Sequence, residues 1–236
     1  MLSISRPDLT TTLRVIAGTG EAQRTFIVYK NVLCAGSHFF KGSCRWQEHE
    51  NATVRLPKED PKITTIYLEW LVTGYLSEYF KISLPITEND LHRFHTLAAN
   101  LYVFGDFVQD LDFKNALVNE TLIIADCTKA FSFEIISLVY NKTPVNSLYR
   151  RLVVDLWIIF AMRNAEKYAN DLSKDFLVDV VIRMPIFLGH LHRSPPKRAT
   201  FNAELYQYHE HELDKPVHSA PRTGTLVIEE GAAIAL

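Results

Sequence analysis

Phe26-Ile27-Val28-Tyr29-Lys30-Asn31-Val32-Leu33-Cys34-Ala35-Gly36-Ser37-His38-Phe39-Phe40 is the stretch on which the fold of this 236-residue chain turns. Its first three residues are apolar and all three are β-formers, so the segment opens as a strand. After Tyr29 the spacing changes. Leu33, Phe39 and Phe40 fall where two short helical pieces, over residues 31–34 and 37–44, would place their apolar side chains on one side. Ser37 supplies the side-chain oxygen that an N-cap needs.

Working outward, Leu13, Val15 and Ala17 alternate with Arg14 and Ile16. Gly18-Thr19-Gly20-Glu21 then makes a turn, so residues 12–28 read as a hairpin. Downstream, Thr53-Val54-Arg55-Leu56 alternates and stops at Pro57, a short third strand. Beyond it the period becomes helical. Asp60-Pro61 is a cap and first-turn pair, Ile63, Ile66, Tyr67, Trp70 and Leu71 share a face, and Gly74 marks the stop. Residues 75–84 read as a turn or a short strand. A helix opening at Asp90 carries Leu91, Phe94, Ala98 and Leu101 inward. Another, capped by Asp110, carries Phe113, Ala116, Leu117 and Ile124.

The second half is expected to be helical throughout. Ser132 precedes an apolar run ending at Tyr140. Thr143-Pro144 is taken as cap and first turn for Val145, Leu148, Leu152, Leu156, Ile159 and Phe160. Leu172, Phe176, Leu177, Val180, Val181 and Met184 form a stripe that Pro185 is expected to end. Arg193 to Arg198 reads as a linker, residues 203–211 as a last short helix, and residues 213–236 as a disordered tail. Two strands, two short helices, a strand and then helices alone argue an α+β fold, not a βαβ one.

Composition bounds the function. Apolar residues are 47%, charged residues 22%, and the formal charge is −2 with both signs interspersed, so no electrostatic footprint for nucleic acid or an anionic membrane is present. Cys34, Cys44 and Cys127 contain no CxxC pair and are expected to be reduced, buried and apolar. No secretory h-region leads the chain, and Leu152 to Met162 is too short and too interrupted to span a bilayer, so a cytoplasmic or nuclear protein is expected.

Catalytic and cofactor patterns are absent from the sequence. Gly18-Thr19-Gly20 has no third glycine and no Lys-Ser/Thr after it, so a hairpin turn accounts for it. No Gly-x-Ser-x-Gly, HExxH, DxDxDG or SxxK motif occurs, and no catalytic, cofactor or metal residue is assigned. His92 and His95, with Glu88, have chelating spacing but no third ligand of the usual kind, and a hydrogen-bonded structural role is expected for them. His209-Glu210-His211 is expected to be a solvated stretch. Tyr67, Trp70, Tyr75, Tyr79 and Phe80 concentrate aromatic rings; Tyr67 and Trp70 fit the core. Tyr79 and Phe80 lie off the helical stripe and are expected to be exposed for partner binding.

The opening block also resembles the BTB/POZ signature, in which a strand ending Val-His-Lys is followed by x-x-Leu-x-x-x-Ser-x-x-Phe. The order then continues through Trp46-Gln47-Glu48, Val54-Arg55-Leu56-Pro57, Trp70-Leu71-Val72-Thr73-Gly74, Leu101 to Asp106, and Leu111 to Ala116. The resemblance covers residues 9–127 and looks most like fungal BTB proteins that carry a helical extension, here 128–212. Tyr29 departs from the family histidine. About ten residues precede the first strand, fewer than the large homodimerising subclass uses.

The resemblance implies a BTB-like small sheet with clustered helices and no catalytic residues. It implies a protein-interaction adaptor, one family use being a substrate-adaptor subunit of a cullin-type ubiquitin ligase. Trp46 and Glu48 sit where family adaptors carry a hydrophobic-x-Glu motif for the cullin. The other family use, which implies a homo-oligomerising scaffold with a transcription-related role, is the alternative. Protein partners are expected, with no nucleic acid, membrane or cofactor.

Overall fold

The computed structural model describes residues 11–46, 53–76, 78–81, 86–162, 165–168, 170–191 and 205–211; the side chains of residues 44–46, 167, 186–191 and 205–206 lie outside the description. The architecture is α+β. Its contacts divide the chain into two compact units, one of Met1–Leu76 with Asn100–Lys114, the other of Ser77–Ala99 with Asn115–Leu236.

The first unit holds a three-stranded sheet of β1 (Thr12–Ala17), β2 (Arg24–Tyr29) and β3 (Thr53–Leu56), in the order β2-β1-β3. β1 pairs antiparallel with β2, Leu13 opposite Val28 and Val15 opposite Phe26, and parallel with β3, Val15 opposite Val54. The alternation puts Leu13, Val15 and Ala17 in the core, as the hairpin reading expects. Gly18 and Gly20 both take positive φ, +77° and +60°, in the connecting turn.

Two short helices follow, α1 (Lys30–Gly36) and α2 (His38–Trp46). Leu33 and Phe40 are fully buried, and Phe39 is half-buried with its ring 4.9 Å from that of Phe107. Ser37 caps α2 as its sequence suggests: its Oγ accepts from the Phe40 N–H at 3.1 Å and donates to the Val108 carbonyl at 2.5 Å. α3 (Pro61–Thr73) begins with Asp60 Oδ1 accepting from the Lys62 N–H at 2.8 Å. It ends at Gly74, in the left-handed region at φ 71°.

Into this unit also run residues 100–108 of α4 (Glu88–Val108) and 111–114 of α5 (Leu111–Thr128). The fully buried Tyr67 ring is 5.0 Å from Phe113, 5.3 Å from Phe104 and 6.3 Å from Phe40. Its hydroxyl donates to Asp110 Oδ2 at 3.0 Å, while Asp110 Oδ1 accepts from the Phe113 N–H at 2.9 Å and so caps α5. A Cβ on Gly36 would come within 2.8 Å of both Asp110 Oδ2 and Leu71, so the last residue of α1 has to be glycine for the two groups to stay where they are.

The second unit contains the rest of α4 and α5, then α6 (Ile135–Lys142), α7 (Leu148–Leu156), α8 (Ala165–Tyr168) and α9 (Lys174–Leu191). One π-helical turn, Trp157–Ala161, extends α7. Leu91, Phe94 and Ala98 on α4 are buried as their spacing predicts, as are Leu117 and Ile124 on α5.

Three expectations for this half are corrected. Thr143 does not cap α7; it ends α6, its hydroxyl donating to the Val139 carbonyl at 2.6 Å, and α7 is capped by Ser147. The reason is Arg150, which lies buried against that end and donates to the Tyr140 carbonyl at 2.7 Å, to the Thr143 carbonyl and to its hydroxyl. A cation is thus set where the C-terminal carbonyls of α6 are unpaired. Val145 is accordingly out of the stripe and 83% exposed. Pro185 lies inside α9, not after it.

Cys34 is disulfide-bonded, which corrects the expectation of three reduced thiols, and Cys127 is free and exposed, not buried. The expected tail, residues 213–236, and the linker from Arg193 to Arg198 lie outside the described residues.

Candidate functional site

An edge strand carries a row of unpaired backbone groups, so what it exposes on its side chains decides whether it invites a partner. β2 is an edge: among the described residues, only β1 pairs with it. Its alternation follows the register with β1, Val28 and Phe26 standing opposite the buried Leu13 and Val15, and Ile27 opposite the exposed Arg14. Phe26 and Val28 are half-buried, whereas Thr25, Ile27 and Tyr29 face solvent, Ile27 at 74% exposure. None of the charged, proline or bulge devices that usually blunt an edge stands between Thr25 and Tyr29. Val72 and Tyr75, at the end of α3, are further exposed apolar groups of the same unit. In the second unit, Leu177, Val178, Val181 and Ile182 form an exposed apolar stripe at helical spacing on α9.

The four residues singled out from sequence fare differently. Trp46 is the last residue of α2, and neither its side chain nor Glu48 falls within the description. Tyr79 is half-buried. The expected exposure of Phe80 is corrected: it is 1% exposed. A ring just past a helix stop is read as free surface only if the following chain leads away, and here the turn at residues 78–80 folds it inward.

A pocket of about 410 Å³ opens in the second unit and is lined by Glu88, His92, Ser132, Glu134, Phe160 and Tyr168 among others. A serine, a histidine and a carboxylate meet in it, a constellation that no sequence motif signalled because the three come from α4 and the loop before α6. Ser132 does not stand in it as a triad nucleophile. Ser132 Oγ, at 3.3 Å, and Glu134 both approach His92 Nδ1, and Thr96 Oγ1 stands 3.5 Å from Nε2. A triad needs its hydroxyl and its carboxylate on opposite ring nitrogens, so that one orients the imidazole while the other is deprotonated. Ser132 Oγ instead donates to Glu134 at 3.3 Å, closing a local ring of hydrogen bonds.

His95, predicted to be structural, is fully buried. The Ser132 N–H donates to its Nδ1 at 3.2 Å, which fixes the proton on Nε2, and burial pulls its pKa down to about 4, with His92 adding to the effect. Among the described residues, no group of three histidine, cysteine or acidic side chains is placed to hold a metal.

His209-Glu210-His211 departs from expectation. His209 is 6% exposed, its Nε2 2.9 Å from Asn119 Oδ1, so the stretch is docked where solvation was expected. The signal that could have found it is Leu205-Tyr206-Gln207-Tyr208 immediately before, two tyrosines spaced to bury one ring. Among the described residues no helix is long and apolar enough to cross a membrane. No protein-family model and no curated protein matches the chain.

Proposed function

We propose that this chain is a non-catalytic protein-interaction adaptor whose sheet-bearing unit docks a partner. The observation that carries the reading is the β2 edge, which among the described residues pairs only with β1 and exposes Ile27 and Tyr29, an arrangement suited to adding a partner's strand. The element order supports it too: a hairpin, two short helices, a third strand and then helices is the order that the resemblance to the BTB/POZ signature implies. So does the placement of Ser132 and Glu134 on the same nitrogen of His92, which leaves that serine without a relay.

The finer form of the proposal is a substrate-adaptor subunit of a cullin-type ubiquitin ligase, with Trp46 and Glu48 as the cullin contact. The β2 edge also favours a second reading, a homo-oligomerising scaffold in which two such edges pair. One experiment separates them: capture from a cell lysate with the wild type, Trp46→Ala/Glu48→Ala and Ile27→Asp, scored for a cullin, alongside light scattering of each purified protein. A cullin captured by the wild type and depleted in the double variant, with folding intact, supports the ligase adaptor. No cullin, with a dimer that Ile27→Asp dissociates, supports the scaffold. A monomer without either sinks both.

A further inference from the structure

The pocket of about 410 Å³ in the second unit falls in the lower part of the range, roughly 300–1,000 Å³, that small-molecule sites occupy. Three stretches build it. The start of α4 brings Glu88, Leu91 and His92 to one face, at the i, i+3, i+4 spacing of a helix. Residues 130–134, between α5 and α6, supply a second side. The third is the π-helical turn that extends α7, closed by the Met162 N–H donating to the Trp157 carbonyl. Phe160 and Ala161 of that turn both line the cavity, and π turns within helices recur at functional sites.

Burial grades the wall. Phe131 is buried, the rings of Phe133, Phe160 and Tyr168 are half-buried, and Glu88 and Glu134 are exposed. Phe133 and Tyr168 stack on each other, centroids 3.4 Å apart at 26°. The floor is thus aromatic and the rim acidic. Among the described lining side chains no lysine or arginine offsets the two acids, and His92 alone can carry positive charge.

Packing does not account for the two carboxylates. Glu88 stands in the first turn of α4, where the helix dipole favours a charged carboxylate, and it makes no hydrogen bond or ion pair among the described residues. Glu134 occupies the N-cap of α6 yet makes no capping bond. Its Oε2 takes both the Ser132 hydroxyl, at 3.3 Å, and the ion pair with His92. That network holds the carboxylate in place and leaves Oε1 with no protein partner among the described residues.

Such a rim repels an anion, and a neutral apolar molecule would leave both acids to water. A cation on an apolar body uses the rim and the floor together, because aromatic faces also attract positive charge. We propose that this pocket binds a small organic cation, an ammonium group on an aryl or alkyl body, with the rings holding the body and Glu88 and Glu134 the charge. A free amine and the lysine side chain of a partner protein present the same chemistry, and the test separates them. The inference concerns a different unit and different residues from the β2 edge, and neither stands on the other.

The test titrates the full chain with three probes of similar shape, phenethylamine, phenethyl alcohol and phenylacetate, followed by calorimetry. The amine is expected to bind with a Kd of about a millimolar or tighter, at least about tenfold tighter than the alcohol, with the acid weaker still. Glu88→Gln/Glu134→Gln, which keeps both side-chain shapes, weakens the amine about tenfold and leaves the alcohol within about twofold. Glu88→Gln alone, at an exposed side chain whose loss does not threaten the fold, weakens the amine about threefold. A blocked lysine amide that binds more tightly than phenethylamine assigns the ammonium to a partner's side chain, and one that binds more weakly assigns it to a free amine; either supports the cation site. The proposal is overturned if the three probes bind alike, if the double variant, folded by circular dichroism, binds the amine as the wild type does, or if neither amine binds at about 10 mM.

Discussion

Glu120 on α5 is 7% exposed, and burial raises its pKa to about 7. A carboxyl whose folded pKa lies above its unfolded value favours the folded state only while both states keep the proton. Stability is therefore fully present below about pH 4.5 and is lost as the pH rises through 7. Glu120→Gln, neutral at every pH, is expected to match the wild type near pH 4 and to be more stable at pH 8, by up to about 3 kcal/mol. Urea unfolding at the two pH values measures this; equal differences at both would mean that the gain is packing and not charge. His95 runs the other way. Its pKa is depressed to about 4, so its contribution is present above about 6.5 and lost as the pH falls from there toward 4. Asp110, pushed up to about 6 by burial against the hydrogen bonds that pull it down, adds to the slope of Glu120. A replacement of His95 that keeps the Ser132 N–H bonded, His95→Gln, should flatten the acid limb of the stability curve. Its check is the midpoint of urea unfolding between pH 4 and 6.5.

At the level of elements, caps were the most legible part of the sequence. Ser37, Asp60 and Asp110 all cap where their position before an apolar period says they should, because a cap is decided by three or four neighbouring residues. Thr143 was misread because the contact that decides it comes from Arg150, seven residues on and in the next helix. Pro185 was misread as an end for a related reason: the helical pattern resumes after it, and packing can override one missing N–H. Ser37→Ala should cost about 1–3 kcal/mol, since it removes a cap and leaves the Val108 carbonyl without that donor. Thermal or urea unfolding reports it, and a loss below about 0.5 kcal/mol would show that water replaces the hydroxyl at both ends.

For the molecule as a whole, the α+β class and the order of its elements could be read from periodicity alone. The exposure of individual groups could not. Phe80 looks free in sequence and is buried, whereas Ile27 looks like a core strand residue and stands 74% exposed, because an apolar residue type does not say which face of its strand is covered. The Ser132–His92–Glu134 meeting was invisible because its members come from separate parts of the chain. Ile27→Asp tests the consequence: stability should change by no more than about 0.5 kcal/mol, as for other surface positions, while association measured by light scattering or partner capture falls. A large loss of stability would place Ile27 in the core.

Asn115 on α5 grips the main chain at position 210 with both ends of its amide, donating to the carbonyl and accepting from the N–H. Mutational tolerance along residues 208–210 should therefore be uneven. In a saturation library read out by folded yield, position 208 would accept almost nothing but tyrosine. At position 210 the replacement hit hardest would be proline, which has no N–H to give to the Asn115 amide oxygen.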